Sequence, residues 1–156
     1  LYVGLMIKNK DPYLIEYNVR MGDPECQVIL PRLKTDLLKI INYSLNNQLK
    51  KLKVIWEKNK CMTIVLCSNG YPGNYKKDKI IKLNKFKDKK NLFIMHAGTK
   101  KKNENIISSG GRVLNIVCKG QNFNLIRKKI IKLLKKINWK GGFYRRDIGW
   151  RVIKKL

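Results

Sequence analysis

The sequence predicts a mixed fold that passes from α/β to α+β, with a mainly antiparallel sheet. Short apolar runs of strand length recur between turn residues. Two stretches repeat their apolar residues at helical spacing. Neighbouring runs are joined by tight-turn sequences, Asn-Lys-Asp-Pro near the start and Gly-Gly further on.

The opening reads as a hairpin: Tyr2–Lys8 is one run, residues 9–12 turn, and Tyr13–Val19 is the second. Asp23-Pro24-Glu25 then reads as a helix start. Asp23 caps free backbone N–H groups, Pro24 suits the first helical position, and Glu25 favours the first turn. Pro31 limits that helix. A second helix is expected over Thr35–Asn47, with Leu37, Leu38, Ile41 and Leu45 as its apolar stripe. The polar, basic stretch Asn46–Lys53 is the candidate domain boundary.

Beyond it, Met62–Ser68 reads as a buried strand, ended by Asn69-Gly70-Tyr71-Pro72-Gly73. Lys76–Lys90 is a charged loop with one short strand over Lys79–Leu83, and Leu92–Ala97 is another strand. Ile106–Ser108, the Gly110-Gly111 turn and Arg112–Lys119 are expected to form a further hairpin. Asn122 or Asn124 caps a helix running to about Ile137, with Ile126, Ile130, Leu133, Leu134 and Ile137 on one face. The tail from Gly141 to Gly149 is turn-rich, and no internal repeat is present.

Composition bounds the function. A chain of 156 residues holds one domain or two small pieces. It opens on Leu1 rather than Met, which suggests truncation at the N-terminus. No charged-then-apolar signal segment opens it, and no apolar run reaches the ~18–20 residues of a membrane helix. The net charge of +26 would suit nucleic acid or an anionic membrane. The excess is mostly Lys, scattered and accompanied by much Ile and Asn, and the aromatics do not alternate with it as a base-stacking surface requires. Specific nucleic-acid binding is therefore not expected, though the basic surface can attract phosphorylated substrates. Cys26, Cys61, Cys67 and Cys118 form no Cys-x-x-Cys pair and accompany a single His96, so no zinc site is expected. Cys67 and Cys118 lie in apolar runs and read as reduced core residues, which fits a cytoplasmic setting. Tyr17, Trp56 and Trp139 read as packing residues, and Lys100–Lys102 as a solvated face.

The chemistry concentrates between Leu14 and Asp23. Strand alternation puts Glu16 and Asn18 on one face, with Ile15, Tyr17 and Val19 on the other. A carboxylate beside an amide oxygen suits magnesium, which takes one or two protein oxygens and fills its remaining positions with water and phosphate. If the strand continues, Arg20 follows on that face, where its planar cation suits a phosphoryl charge. The Asp23 turn would then offer backbone N–H groups beside it. Read alone, Glu-x-Asn on a strand is usually a solvated face.

The whole string decides otherwise. Ile15–Asp36 closely resembles the segment that ends the ATP-grasp domain of the phosphoribosylamine–glycine ligase family, whose Arg-x-Gly-Asp-Pro-Glu-x-Gln signature is matched by Arg20–Gln27. Further motifs follow in order: Ser68–Gly73, His96-Ala97-Gly98-Thr99-Lys100, Gly110-Gly111-Arg112-Val113-Leu114, and Phe143–Gly149. Met21 stands where the family usually has an aromatic, Cys26 a threonine, Asp78 a glycine and Trp150 a histidine. None of these removes the magnesium pair, though Asp78 bears on the shape of the loop after Tyr75.

The resemblance implies ATP-dependent joining of glycine to 5-phosphoribosylamine through a glycyl phosphate, giving glycinamide ribonucleotide, ADP and phosphate in purine synthesis. It implies Glu16 and Asn18 as ligands of magnesium (or manganese), and Arg20 as a catalytic residue at the phosphate. It implies Asp23, His96 and Arg112 as substrate-binding residues. On the same footing, residues 1–48 would close an ATP-grasp domain and 49–156 would form a small C-terminal α+β domain. The full-length enzyme would be a cytoplasmic monomer acting on ATP, glycine and 5-phosphoribosylamine, with no membrane partner, and this piece would be inactive alone. Rival readings are another ATP-grasp ligase, a basic nucleic-acid-binding module, or a non-catalytic interaction domain.

Overall fold

The computed structural model describes residues 2–83 and 90–153. Its strands are β1 (Tyr2–Lys8), β2 (Asp11–Asn18), β3 (Lys60–Ser68), β4 (Ile80–Ile81), β5 (Leu92–His96), β6 (Thr99–Lys102), β7 (Asn105–Ser108), β8 (Arg112–Gly120) and β9 (Gly142–Phe143). Its α-helices are α1 (Cys26–Ile29), α2 (Leu37–Leu45), α3 (Phe123–Leu134) and α4 (Trp150–Ile153).

β1 and β2 pair antiparallel as expected. The turn is tighter than predicted: Asn9 and Lys10 make it alone, at φ 53° and 72°. Both lie in the left-handed region, which matches the twist of the flanking strands. A register shift puts Leu14 opposite Leu5 and Glu16 opposite Gly4, so Ile15 has no cross-strand partner. Alternation holds from Glu16 to Asn18, where the strand ends.

The segment after the hairpin corrects one expectation. The helix begins at Cys26, with Glu25 at the N-cap position and no side-chain cap bond. Asp23 caps nothing, and a four-residue helix whose Cys26 N–H already donates to the Gly22 carbonyl offers no anion site at its start. α2 keeps the predicted position, and Asp36 caps it by accepting from the Lys39 N–H at 2.8 Å. Its apolar stripe is not buried: Leu38 is 70% and Leu45 77% exposed.

The core lies further on. A four-stranded antiparallel sheet runs in the order β5-β8-β3-β9. Register places Met62, Ile64 and Leu66 of β3 opposite Cys118, Ile116 and Leu114 of β8. Ile126, Ile130, Leu133 and Leu134 of α3 join the same buried cluster, so the helix supplies its apolar face to that side of the sheet. Asn122, not Asn124, caps α3, accepting from the N–H groups of Asn124 and Leu125 at 2.8 and 3.2 Å. α1 lies against β3 and β8. Lys119 ties the two ends of the intervening segment together: its Nζ donates to Glu57 at 3.0 and 3.1 Å and to the Pro31 carbonyl at 3.0 Å.

A second sheet, β4-β7-β6, corrects the expected hairpin after Ile106. β7 pairs with β4 and β6, while β8 joins the large sheet, so Gly110-Gly111 carries the chain from one sheet to the other. β6 carries Lys100–Lys102, exposed as predicted but in a strand. Asp78 adopts φ 58°, a conformation natural to glycine, and pairs with Lys100 at 3.0 Å. Trp139 is buried, whereas Tyr17 and Trp56 are 64% and 45% exposed and do not pack as predicted. Residues 84–89 of the charged loop lie outside the described residues. Among the described residues no helix is long and apolar enough to cross a membrane.

Candidate active site

The site is built where loops from both sheets meet the segment after β2. Gly98 and Gly110 lie back to back: a Cβ on Gly98 would come within 2.6 Å of the Gly110 Cα. Backbone bonds lock this contact, Gly98 N–H to Arg112 O at 2.9 Å and Ser109 N–H to Gly98 O at 2.8 Å. Gly111 lies flat on the Tyr71 ring, where a Cβ would sit 2.1 Å from Cδ2. The Ser68 hydroxyl donates to the Gly110 carbonyl at 2.8 Å. Bare backbone at these glycines lets three loops close together and fixes the start of β8.

Arg112, the first residue of β8, projects from that junction. Its guanidinium carbon is 6.0 Å from the Tyr71 ring centroid, within cation–π reach. Its Nε donates to Asp23 Oδ2 at 2.9 Å. The other carboxylate oxygen, Asp23 Oδ1, accepts from Gln27 Nε2 at 2.8 Å. Side chains from Arg20–Gln27, Ser68–Gly73 and Gly110–Leu114 therefore converge, braced by the turn after His96. The Arg112 and Asp23 side chains are 41% and 36% exposed, so the pair contributes little to stability and is open to a ligand. Burial pushes the nearby Cys67 thiol up; Arg112 opposes the shift and Asp23 adds to it.

The other predicted site residues make contacts of their own. His96 turns back on its own loop, its Nδ1 2.9 Å from Thr99 Oγ1. Glu16 and Asn18 share a face of β2, cross-strand from Gly4 and Tyr2. Gly4 leaves room for the Glu16 side chain, whose Cγ would lie 3.1 Å from a Cβ there. Because β2 ends at Asn18, alternation does not carry Arg20 onto their face; its Nη1 donates to the Met21 carbonyl at 3.2 Å. No group of three or more His, Cys, Asp or Glu capable of holding a metal occurs among the described residues. Glu16 is exposed and Asn18 half-buried, and a carboxylate beside an amide oxygen on one strand face suits magnesium.

Arg145 and Asp147 form a local ion pair, with contacts of 3.1 and 2.5 Å. Arg127 of α3 secures that loop, donating to the Ile148 carbonyl at 3.0 Å and to the Arg146 carbonyl. Sequence reasoning missed Gln27 and Tyr71. Gln27 had a signal, since it stands four residues after Asp23, a spacing at which Gln and Asp side chains meet. Tyr71 had none beyond its place in a turn.

The described fold is that of a small α+β domain with antiparallel sheets, preceded by a hairpin and two helices. Residues 61–151 match the family described as phosphoribosylglycinamide synthetase, C domain, and the chain belongs to that family. It is 42% identical to the chloroplastic phosphoribosylamine–glycine ligase of Arabidopsis thaliana, over 99% of this chain and 30% of the plant protein. It is 41% identical to the trifunctional purine biosynthetic protein adenosine-3 of Gallus gallus, over 98% of this chain and 15% of that protein. The crystal structure of phosphoribosylamine–glycine ligase from Thermotoga maritima superposes with a TM-score of 0.73 at 31% identity, over 93% of this chain and 35% of that one. The chain thus spans about a third of the single-function ligases it matches.

Proposed function

We propose that this chain is the C-terminal part of an ATP-dependent ligase that joins glycine to 5-phosphoribosylamine, forming glycinamide ribonucleotide, ADP and phosphate through a glycyl phosphate. The observation that carries the reading is the convergence of separate sequence motifs on the Asp23–Arg112 pair, a few residues downstream of the Glu16–Asn18 strand face. Residues 1–48 would complete an ATP-grasp domain and 49–156 would form the C-terminal domain. Supporting that division, among the described residues the buried core draws only on those from Met62 onward, while Leu5, Ile7, Leu14, Tyr17 and the α2 stripe face solvent.

In the full-length enzyme Glu16 and Asn18 would hold magnesium or manganese, whose positive charge would offset that of the ATP phosphates. Arg20 would neutralise the moving phosphoryl group. Asp23 would orient the amine-bearing substrate. Arg112 has Nε committed to Asp23, and its terminal nitrogens are those a substrate phosphate would take. His96, held by Thr99, would hydrogen-bond substrate. The enzyme would act on small molecules in the cytoplasm as a monomer, without specific nucleic acid.

The test is Glu16→Gln in the full-length ligase. The amide keeps the shape but removes the charge that holds the metal, so turnover should fall about a hundredfold or more with Tm unchanged. Near-normal ADP release at ordinary magnesium would remove Glu16 from the site.

A further inference from the structure

We infer that Gln27 is a positioning residue, whose amide N–H fixes the Asp23 carboxylate for substrate while Arg112 fixes it from the other side. The inference rests on the ligase reading above and adds a residue that reading does not use.

Three observations carry it. First, each Asp23 oxygen has one donor from a different element: Gln27 Nε2 on Oδ1 at 2.8 Å, and Arg112 Nε on Oδ2 at 2.9 Å. With Arg112 alone the carboxylate could swing about its Cβ–Cγ bond; a second donor on the opposite oxygen stops that rotation. Second, Gln27 is itself firmly based. Its helix is closed by Cys26 N–H to Gly22 O and Ile29 N–H to Glu25 O, each 3.0 Å, and packs on β3 and β8. Third, Gln27 Oε1 is buried with no hydrogen-bond partner among the described residues. Turning the amide round would set that oxygen against Asp23 Oδ1, acceptor against acceptor, so the donor contact dictates the orientation. A buried acceptor without a partner is unfavourable, and packing alone would be served as well by an apolar side chain of the same shape. What the amide adds at this position is its donor to Asp23.

Kinetics and stability separate the two roles. In the full-length ligase, Gln27→Met keeps the volume and removes the unpartnered oxygen. A purely structural Gln27 predicts unchanged kinetics with Tm unchanged or raised. A positioning Gln27 predicts a loss of about tenfold or more in kcat/KM at unchanged Tm, in the same parameter that Asp23→Asn alters. Gln27→Glu gives a second readout. Charged and titratable neighbours of the Asp23 carboxylate include Arg112 and the Cys67 thiol, and the Glu25 side chain lies over Gly22. In that variant a protonated carboxyl can donate to Asp23 as the amide does, whereas an ionised one repels it. Activity relative to the parent enzyme should therefore be highest at acidic pH and fall as pH rises. Wild-type kinetics for Gln27→Met with an impaired Asp23→Asn would overturn the positioning role alone. Wild-type kinetics for Asp23→Asn would overturn the ligase-site reading, and the inference with it. Should Gln27→Met fold poorly, a pH-independent loss in Gln27→Glu overturns the inference and a pH-dependent one supports it.

Discussion

Asp23 carries every mark of a helix cap in the sequence, yet its carboxylate spans a gap between two parts of the fold. The mark misleads because a cap and an ion pair use the same short acidic side chain, and only the position of Arg112 decides between them. Glu16 and Asn18 were legible because their relation is local, two residues apart on one strand. Cys61 supports a prediction at this scale. Burial pushes its thiol up to about 11, with Lys119 opposing and Cys118 adding to the shift. The thiolate, which is the reactive form, is then only about one part in a thousand at pH 8. Alkylation followed by peptide mass spectrometry should find Cys61 slow at pH 8, with a rate that climbs about tenfold per pH unit towards pH 11. Rapid labelling at pH 7 would contradict the burial. The raised value also sets the sign for stability: the contribution is complete below the ordinary thiol value of 9.0 and is lost as pH rises from there towards 11.

Elements with strong local periodicity were found, and those defined by a partner were not. α3 declares itself through its apolar spacing and the Asn before it, and both features hold. β6 stayed hidden because Thr99–Lys102 shows no apolar alternation; it is a strand only because β7 lies beside it. The Gly110-Gly111 turn is legible in the sequence, but a turn does not reveal whether the next strand pairs back or enters another sheet. The α3 cap provides the prediction. Asn122 satisfies two N–H groups that the helix cannot, so Asn122→Ala should lower unfolding stability by about 1 kcal/mol in denaturant titration. Asn124→Ala, at a position that does not cap, should cost distinctly less; equal losses would refute the cap assignment.

Across the whole molecule, apolar surface is unevenly distributed. Residues from Met62 onward close a core of their own, whereas the hairpin and α2 present Leu5, Ile7, Tyr17, Leu38 and Leu45 to solvent. A two-stranded hairpin is marginal by itself, and exposed apolar faces of this kind suit contact with further protein. The single-function ligases it matches are about three times longer than this chain, and on the proposed reading the active site would be shared with the rest of such a protein. The isolated chain should therefore release no ADP in response to glycine and 5-phosphoribosylamine, as measured by a coupled ADP assay. Substrate-dependent release would show that one third of the polypeptide suffices. The charge of +26 belongs to this scale too: it sets the field around the molecule and leaves the fold to the apolar pattern.

The amino-acid order by itself determined the hairpin, both longer helices, the main strands, the ordered motifs and the pairing of Glu16 with Asn18 on one face. Each follows from spacing within a few residues, which backbone geometry converts directly into direction. Only the tertiary structure decided that Asp23 meets Arg112, that Gln27 holds its other oxygen, that β7 and β8 part company, and that the α2 stripe is exposed. Those relations join residues far apart in the chain. They depend on which surfaces pack together, and no local period records that.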